Sequence, residues 1–512
     1  MSEHPLFEQL RLRQQELFDL SAIGGLLGWD RSTYLPPGGA PARARQGALM
    51  ARLHHQRATD PELGRLLDAL ERELPHFDPD GLEARLLRLA RREYDRATRV
   101  PESFVAELSA HSSATYAAWA QTRPGGDFGP MIPLLERTLE LSRRYAAFFP
   151  EFEHPMDVFV DASEEGMTVA RVREVFGRLR DGLVPLVQAV TARPEPRTDF
   201  LYRHYPQAAQ LAFGEAVIRA YGYDFTRGRQ DLTHHPFCTR FSIGDVRITT
   251  RVREDDLTEC LFSTLHESGH AMYEQGVDRS LEGLPLARGT SSGVHESQSR
   301  LWENVVGRSA PFWQHYFPAL QATFPEQLAD VSWEEMYRAV NVVRRSLIRT
   351  DADELTYNLH IILRFELEVA MHEGRLEVKD LAAAWHERYT ADLGVRAPDD
   401  RDGVLQDVHW YSGMIGGAFH SYALGNIMSL QFWEAARGAL PDLEGQVGQG
   451  EFAALHGWLR EKVYRHGKMR STSELLVAAT GQDLNPEPYL NYLRSKYGEL
   501  YGLTEPVGSG AH

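Results

Sequence analysis

Asp256-Leu-Thr-Glu-Cys-Leu-Phe-Ser-Thr-Leu-His266-Glu267-Ser-Gly-His270-Ala-Met-Tyr-Glu274 runs without proline and returns apolar residues at helical spacing. On a helix, positions i and i+4 share a face, so His266 and His270 offer two imidazole nitrogens to one ion. Glu267 then stands beside them to handle the proton of a water. The turn before, with Leu257, Cys260, Leu261 and Leu265, is as apolar as a buried helix, and buried imidazoles need partners. A catalytic metal site takes three protein ligands and keeps one position open. The economical third ligand is a carboxylate on a second helix. Glu296 qualifies: a Gly/Ser-rich loop over 283–293 separates it from His270, and Leu301, Trp302 and Val305 behind it mark a helix that must be buried.

Working outward, composition narrows the function classes. A chain of 512 residues has room for two to four average domains or one large one, and its 43% hydrophobic and 25% charged content is that of a soluble globular protein. A formal charge of −17 argues against nucleic acid or an anionic membrane as partner. The 55 basic residues are nearly all arginine, so no single arginine is informative without its position. The first residues have neither a basic nor an apolar signal region, and no apolar run is long enough to span a bilayer. Two cysteines, Cys238 and Cys260, are too few for a disulfide framework, so a reducing cytoplasm is expected.

Helical periodicity dominates the remainder. It predicts helices over 6–27, 42–55, 63–74, 82–94 and 103–121, one capped by Thr168 and another opened by Pro206. After the metal helix it predicts others over 333–349 (capped by Ser332), 351–372, 380–393, 414–440, 451–465, 473–479 and 488–497. Residues 237–252 differ: alternating, β-branched and centred on Gly244-Asp245, they read as a β-hairpin. An exposed strand beside a metal site can hold an extended peptide by backbone hydrogen bonds. Without repeats or low-complexity linkers, one domain over 1–505 is expected, with a disordered tail over 506–512.

Several further motifs follow in order. They are His235-Pro236-Phe237; Asp245-Val-Arg247-Ile-Thr249; His295-Glu296-Ser297-Gln298; Ile348-Arg349-Thr-Asp-Ala352-Asp353; and Gly403-Val-Leu-Gln406-Asp407-Val-His409-Trp410. With the H-E-x-x-H element they make the chain resemble the M32 metallocarboxypeptidases, the carboxypeptidase Taq family. Trp29-Asp30, Pro36, Arg43 and Gln46 extend the likeness over nearly the whole chain.

The resemblance implies a mostly α, neurolysin-like, shell-shaped helical fold with a deep active-site cleft and a small sheet beside the metal helix. It implies one zinc ion per chain, with cobalt as an alternative, held by His266, His270 and Glu296, with Glu267 as general base. It also implies peptide substrates with a free C-terminus, broad specificity and a homodimer. His409 and Tyr422 are expected to stabilise the oxyanion. Arg349 is expected to bind the terminal carboxylate, with Arg247 as the other candidate. Many related enzymes carry an acidic residue four positions after the glutamate ligand. Here Arg300 occupies it, which leaves Glu303 and Asp353 as candidates to orient the ligands. Two alternatives stand beside this reading: an endo-acting zinc oligopeptidase, and a helical binding scaffold merely stabilised by zinc.

Overall fold

The computed structural model describes residues 4–503, so the expected tail over 506–512 lies outside the described residues. Nearly all regular structure is helical, and among the described residues one three-stranded sheet is present. The chain forms two compact units, each assembled from three separate segments. Among the described residues, the first comprises 4–99, 198–337 and 432–483, and the second comprises 100–197, 338–431 and 484–503.

In the first unit, the helix Pro5–Thr33 lays Phe7, Leu10 and Phe18 against Leu63, Leu66, Leu67 and Leu70 of Pro61–Glu73 and against Leu86 and Leu87 of Leu82–Arg99. The helix expected over 63–74 starts on Asp60: its carboxylate accepts from Glu62 N at 2.9 Å, and proline follows where a missing N–H costs nothing. The hairpin is also present. Strands β2 (Cys238–Ser242) and β3 (Asp245–Thr250) pair antiparallel, with an irregularity between Arg240 and Ser242. A third strand, β1 (Gln230–Leu232), pairs parallel to β3 and was not expected, because three residues are too few to display alternation. The central strand is thus β3, and the edge strand β2 is half-buried throughout, packed against Pro5–Thr33.

In the second unit, Thr168 caps Val169–Thr191 by accepting from Arg171 N at 3.3 Å. Other predicted boundaries move. The helix after Ser332 ends at Val340 rather than near 349. Beyond it, Val343 N donates to the Tyr501 hydroxyl at 2.8 Å and Arg344 N to Asp353 Oδ2 at 3.0 Å, so side chains replace the helical acceptors. The next long helix begins at Tyr357, after Asp353 has accepted from Leu355 N and Thr356 N. The helix expected over 414–440 begins at His420, since Gly416 (φ 118°) and Gly417 (φ 77°) turn the chain before it. A Cβ at Gly417 would lie 2.7 Å from Phe159 Cβ, so only glycine passes there.

Candidate metal centre

The helix Leu257–Gly276 starts on Asp256, whose carboxylate accepts from Thr258 N at 2.9 Å, and it is buried along most of its length. The second helix, Ser292–Arg300, starts on Ser291, which accepts from Val294 N at 3.1 Å. The two touch backbone to backbone at Gly269, where a Cβ would sit 2.6 Å from Gln298 O and 2.7 Å from Ser299 Cα. That close approach brings Glu296 to the histidines. Its Oε2 lies 3.8 Å from His266 Nε2 and 3.6 Å from His270 Nε2, and the three ligand atoms fall within 4.8 Å of one another.

The opposite atom of each ligand already has a partner. His266 Nδ1 meets Glu303 Oε2 at 2.9 Å, and Arg300 Nε donates to Glu296 Oε1 at 2.7 Å. His270 Nδ1 meets His295 Nδ1 at 2.6 Å, while His295 Nε2 meets Glu274 Oε1 at 2.8 Å. Glu274 is held in turn by Gly289 N at 3.1 Å and by Arg240 Nε at 3.2 Å. Only Nε2, Nε2 and Oε2 remain to converge. Ligand bonds near 2.1 Å in a tetrahedron would put such atoms about 3.4 Å apart, so the donors suit a divalent ion that favours nitrogen and oxygen.

Glu303 therefore orients His266, and a π-helical turn is what carries it there. Residues Leu301–Val306 depart from α geometry, as helices often do at working sites. Arg300, in the position usually acidic, bridges both carboxylates, with Nη1 3.2 Å from Glu303 Oε2. The other orienting candidate, Asp353, is spent capping its own helix. The His295–Glu274 relay escaped the sequence reading. Its only signal was Glu274 at one turn beyond His270, on the same face.

The electrostatics follow from burial. Desolvation pushes the Glu267 carboxyl up to about 7; the negative Glu296 and Glu303 add to this, and His266 opposes it. Glu267 is 7% exposed. Burial also works on Glu274, but the His295 hydrogen bond and the charge of Arg240 outweigh it and hold its carboxyl down at about 2. Burial, His295 and His266 keep His270 well below its ordinary value and hence neutral, as a metal ligand must be.

The remaining candidates divide between the units. Arg247, in the first, stacks over Trp29 with its guanidinium carbon 4.4 Å from the ring centre. Both prongs of its fork go to Asp245 at 2.8 Å. In the second unit, Asp407 is a hub. It accepts from Arg349 Nε at 2.6 Å, from Arg364 Nε at 3.0 Å and from His409 Nδ1. Gln406 Oε1 accepts from Arg349 N at 3.0 Å and Arg364 Nη2 at 2.9 Å, and Trp410 Nε1 donates to Glu368 at 2.8 Å. The guanidinium carbon of Arg349 lies 5.6 Å from the Tyr422 ring centre, and the rings of His409 and Tyr422 are 6.5 Å apart. Motifs far apart in sequence thus form one cluster. Arg364, fully buried within Tyr357–His372, had no motif to announce it.

The family model described as carboxypeptidase Taq (M32) metallopeptidase matches residues 9–497. Thermostable carboxypeptidase 1 of Thermus thermophilus is 40% identical, over 98% of this chain and 100% of its own. Carboxypeptidase 1 of Bacillus subtilis is 36% identical, over 97% and 100%. Among solved structures, the M32 carboxypeptidase from Deinococcus radiodurans R1 superposes with a TM-score of 0.95 at 58% identity, over 98% of this chain and 100% of that one.

Proposed function

The chain belongs to the carboxypeptidase Taq (M32) family of metallopeptidases and is a metal-dependent carboxypeptidase; from that premise we propose zinc as its ion, one per chain, on His266, His270 and Glu296. One observation carries the ligand assignment: three donor atoms converge while the far atom of each ligand is already hydrogen-bonded. Bound there, zinc would supply Lewis acidity and ease the loss of a proton from a neighbouring water near neutral pH. Glu267, a buried base with its carboxyl near neutrality, accepts that proton and returns it to the leaving amine. His409, with Nδ1 engaged by Asp407, retains Nε2, and in this reading it and the Tyr422 hydroxyl donate to the oxyanion.

Arg349 is assigned to the substrate's terminal carboxylate. Supporting this, Asp407 is a single anion shared by Arg349 and Arg364, so positive charge is left over for another carboxylate. Arg247, its fork spent on Asp245, is not assigned. Mass spectrometry of peptide digests tests this reading. A peptide ending in an amide should be cut about 30- to 5000-fold more slowly than its free acid, and acetylating the N-terminus should matter little. Arg349→Ala should slow the free acid while leaving the amide rate nearly unchanged. Equal rates on acid and amide in the parent would remove the assignment. Broad specificity, a homodimer and a cytoplasmic setting complete the reading. Supporting the last, both cysteines are free thiols. Sedimentation at micromolar concentration tests the dimer.

A further inference from the structure

A second concave site lies in the first unit and includes none of the metal ligands. It measures about 480 Å³, within the usual range for small-molecule sites. Its walls are apolar, from Phe18, Leu63, Ala90 and Pro285, and part of this wall belongs to the buried core. Two charged groups of opposite sign line it: Glu93, on the helix Leu82–Arg99, and Lys468. Each influences the other electrostatically, yet among the described residues neither side chain has a hydrogen bond or an ion pair within 4 Å. Glu93 is exposed and Lys468 half-buried, so solvent reaches both. Arg96 and Arg288 add two more cations to the lining, Arg288 Nη2 donating to Ser21 Oγ at 3.0 Å.

The backbone that carries Lys468 is built for this position. Gly467 adopts φ 49°, and a Cβ there would lie 2.3 Å from Leu286 O. The chain can cross the 284–288 loop that closely only as glycine, and Lys468 N then donates to Leu286 O at 2.9 Å. Lysine is rare in this arginine-dominated chain, so its use here is not compositional habit. Partial burial pushes the Lys468 ammonium down, the direction in which it gains by acquiring an opposite charge.

We propose that this pocket binds a free α-amino acid with an apolar side chain. Lys468, with Arg288, takes its carboxylate, Glu93 takes its ammonium, and the Phe18–Leu63–Ala90 wall takes the side chain. A carboxypeptidase releases this class of molecule, so the ligand is made on the spot; to that extent the inference rests on the family's activity.

The test is calorimetric titration of the metal-loaded protein with L-leucine, N-acetyl-L-leucine and L-leucinamide. The parent should show a leucine site that Lys468→Met and Glu93→Gln each weaken by roughly tenfold or more, and both capped ligands should lose affinity to a similar degree. Peptide hydrolysis by both variants should stay within about twofold of the parent, and any product binding at the metal centre should persist in them. Leucine binding that neither variant alters overturns the proposal. So does N-acetyl-L-leucine binding as tightly as leucine, which would mark a simple anion site. Either failure leaves parental hydrolysis intact, whereas a failure of the carboxypeptidase reading would abolish it.

Discussion

His270 can hold an ion through Nε2 because its other nitrogen is fixed by His295, and His295 by Glu274. Glu274→Ala should therefore weaken metal retention by about 10- to 100-fold, read by competition with a chromogenic chelator. Unchanged retention would reduce the relay to packing. His266→Ala or Glu296→Ala should lose stoichiometric zinc on dialysis, measured by elemental analysis, because each removes one of three donors. Glu267→Gln should behave differently. It keeps the ligands and the side-chain shape but cannot accept a proton, so metal content should hold while kcat falls by about 10²- to 10⁴-fold. A turnover within tenfold of the parent would move the base elsewhere.

At the scale of elements, two helices approach closely enough to bring a carboxylate to two imidazoles, and Gly269 is the condition for it. Gly269→Ala would force a Cβ into the backbone at Gln298–Ser299, so it should cost about 1–3 kcal/mol of stability and loosen metal binding together. The paired readout, a melting curve and a chelator competition on the same sample, is what distinguishes it: a stability loss with full metal affinity would mean that the helices adjust without moving Glu296. The π-turn after Arg300 belongs to the same scale, for it carries Glu303 round to His266. Regular α continuation was the sequence-level expectation for this segment. Nothing in Leu301–Val306 announces a widened turn, because its cause is the set of partners waiting outside it.

For the whole molecule, buried charge sets the response to pH. Glu368 is fully buried, and desolvation pushes its carboxyl up to about 8 despite hydrogen bonds from Trp410 Nε1 and Gly416 N. A raised folded-state value means that the stabilising, protonated form is complete below the ordinary carboxyl value of 4.5 and is lost as pH rises towards about 8. The parent should therefore lose stability across that window. Glu368→Gln should flatten the loss, gaining more in melting temperature at pH 8 than at pH 5. An identical pH slope in the two proteins would show that this carboxyl is ionised in the folded state. Asp407 acts in the opposite sense. Burial alone would raise its carboxyl, but His409, Arg364 and Arg349 hold it far below the ordinary range, so its contribution persists through mildly acidic solution and fades only in strong acid.

Much of the site was legible from local sequence, because H-E-x-x-H spacing and helix caps act within a turn or two of the chain. His266, His270, the hairpin and the caps at Asp60 and Thr168 belong to this class. The motifs also sufficed to identify the family, since several short signatures in one fixed order seldom coincide by chance. Tertiary structure decided the rest. Which residues orient the ligands depends on how helices cross, so His295–Glu274 and the π-turn to Glu303 had no local signature. That Asp407 gathers Arg349, Arg364 and His409 could not be read from spacing, because an ion-pair hub is a fact of distance in space. Helix ends near 340, 357 and 420 moved for the same reason: partners remote in sequence satisfied the backbone, or glycines turned it against a neighbour, where periodicity alone would have continued the helix.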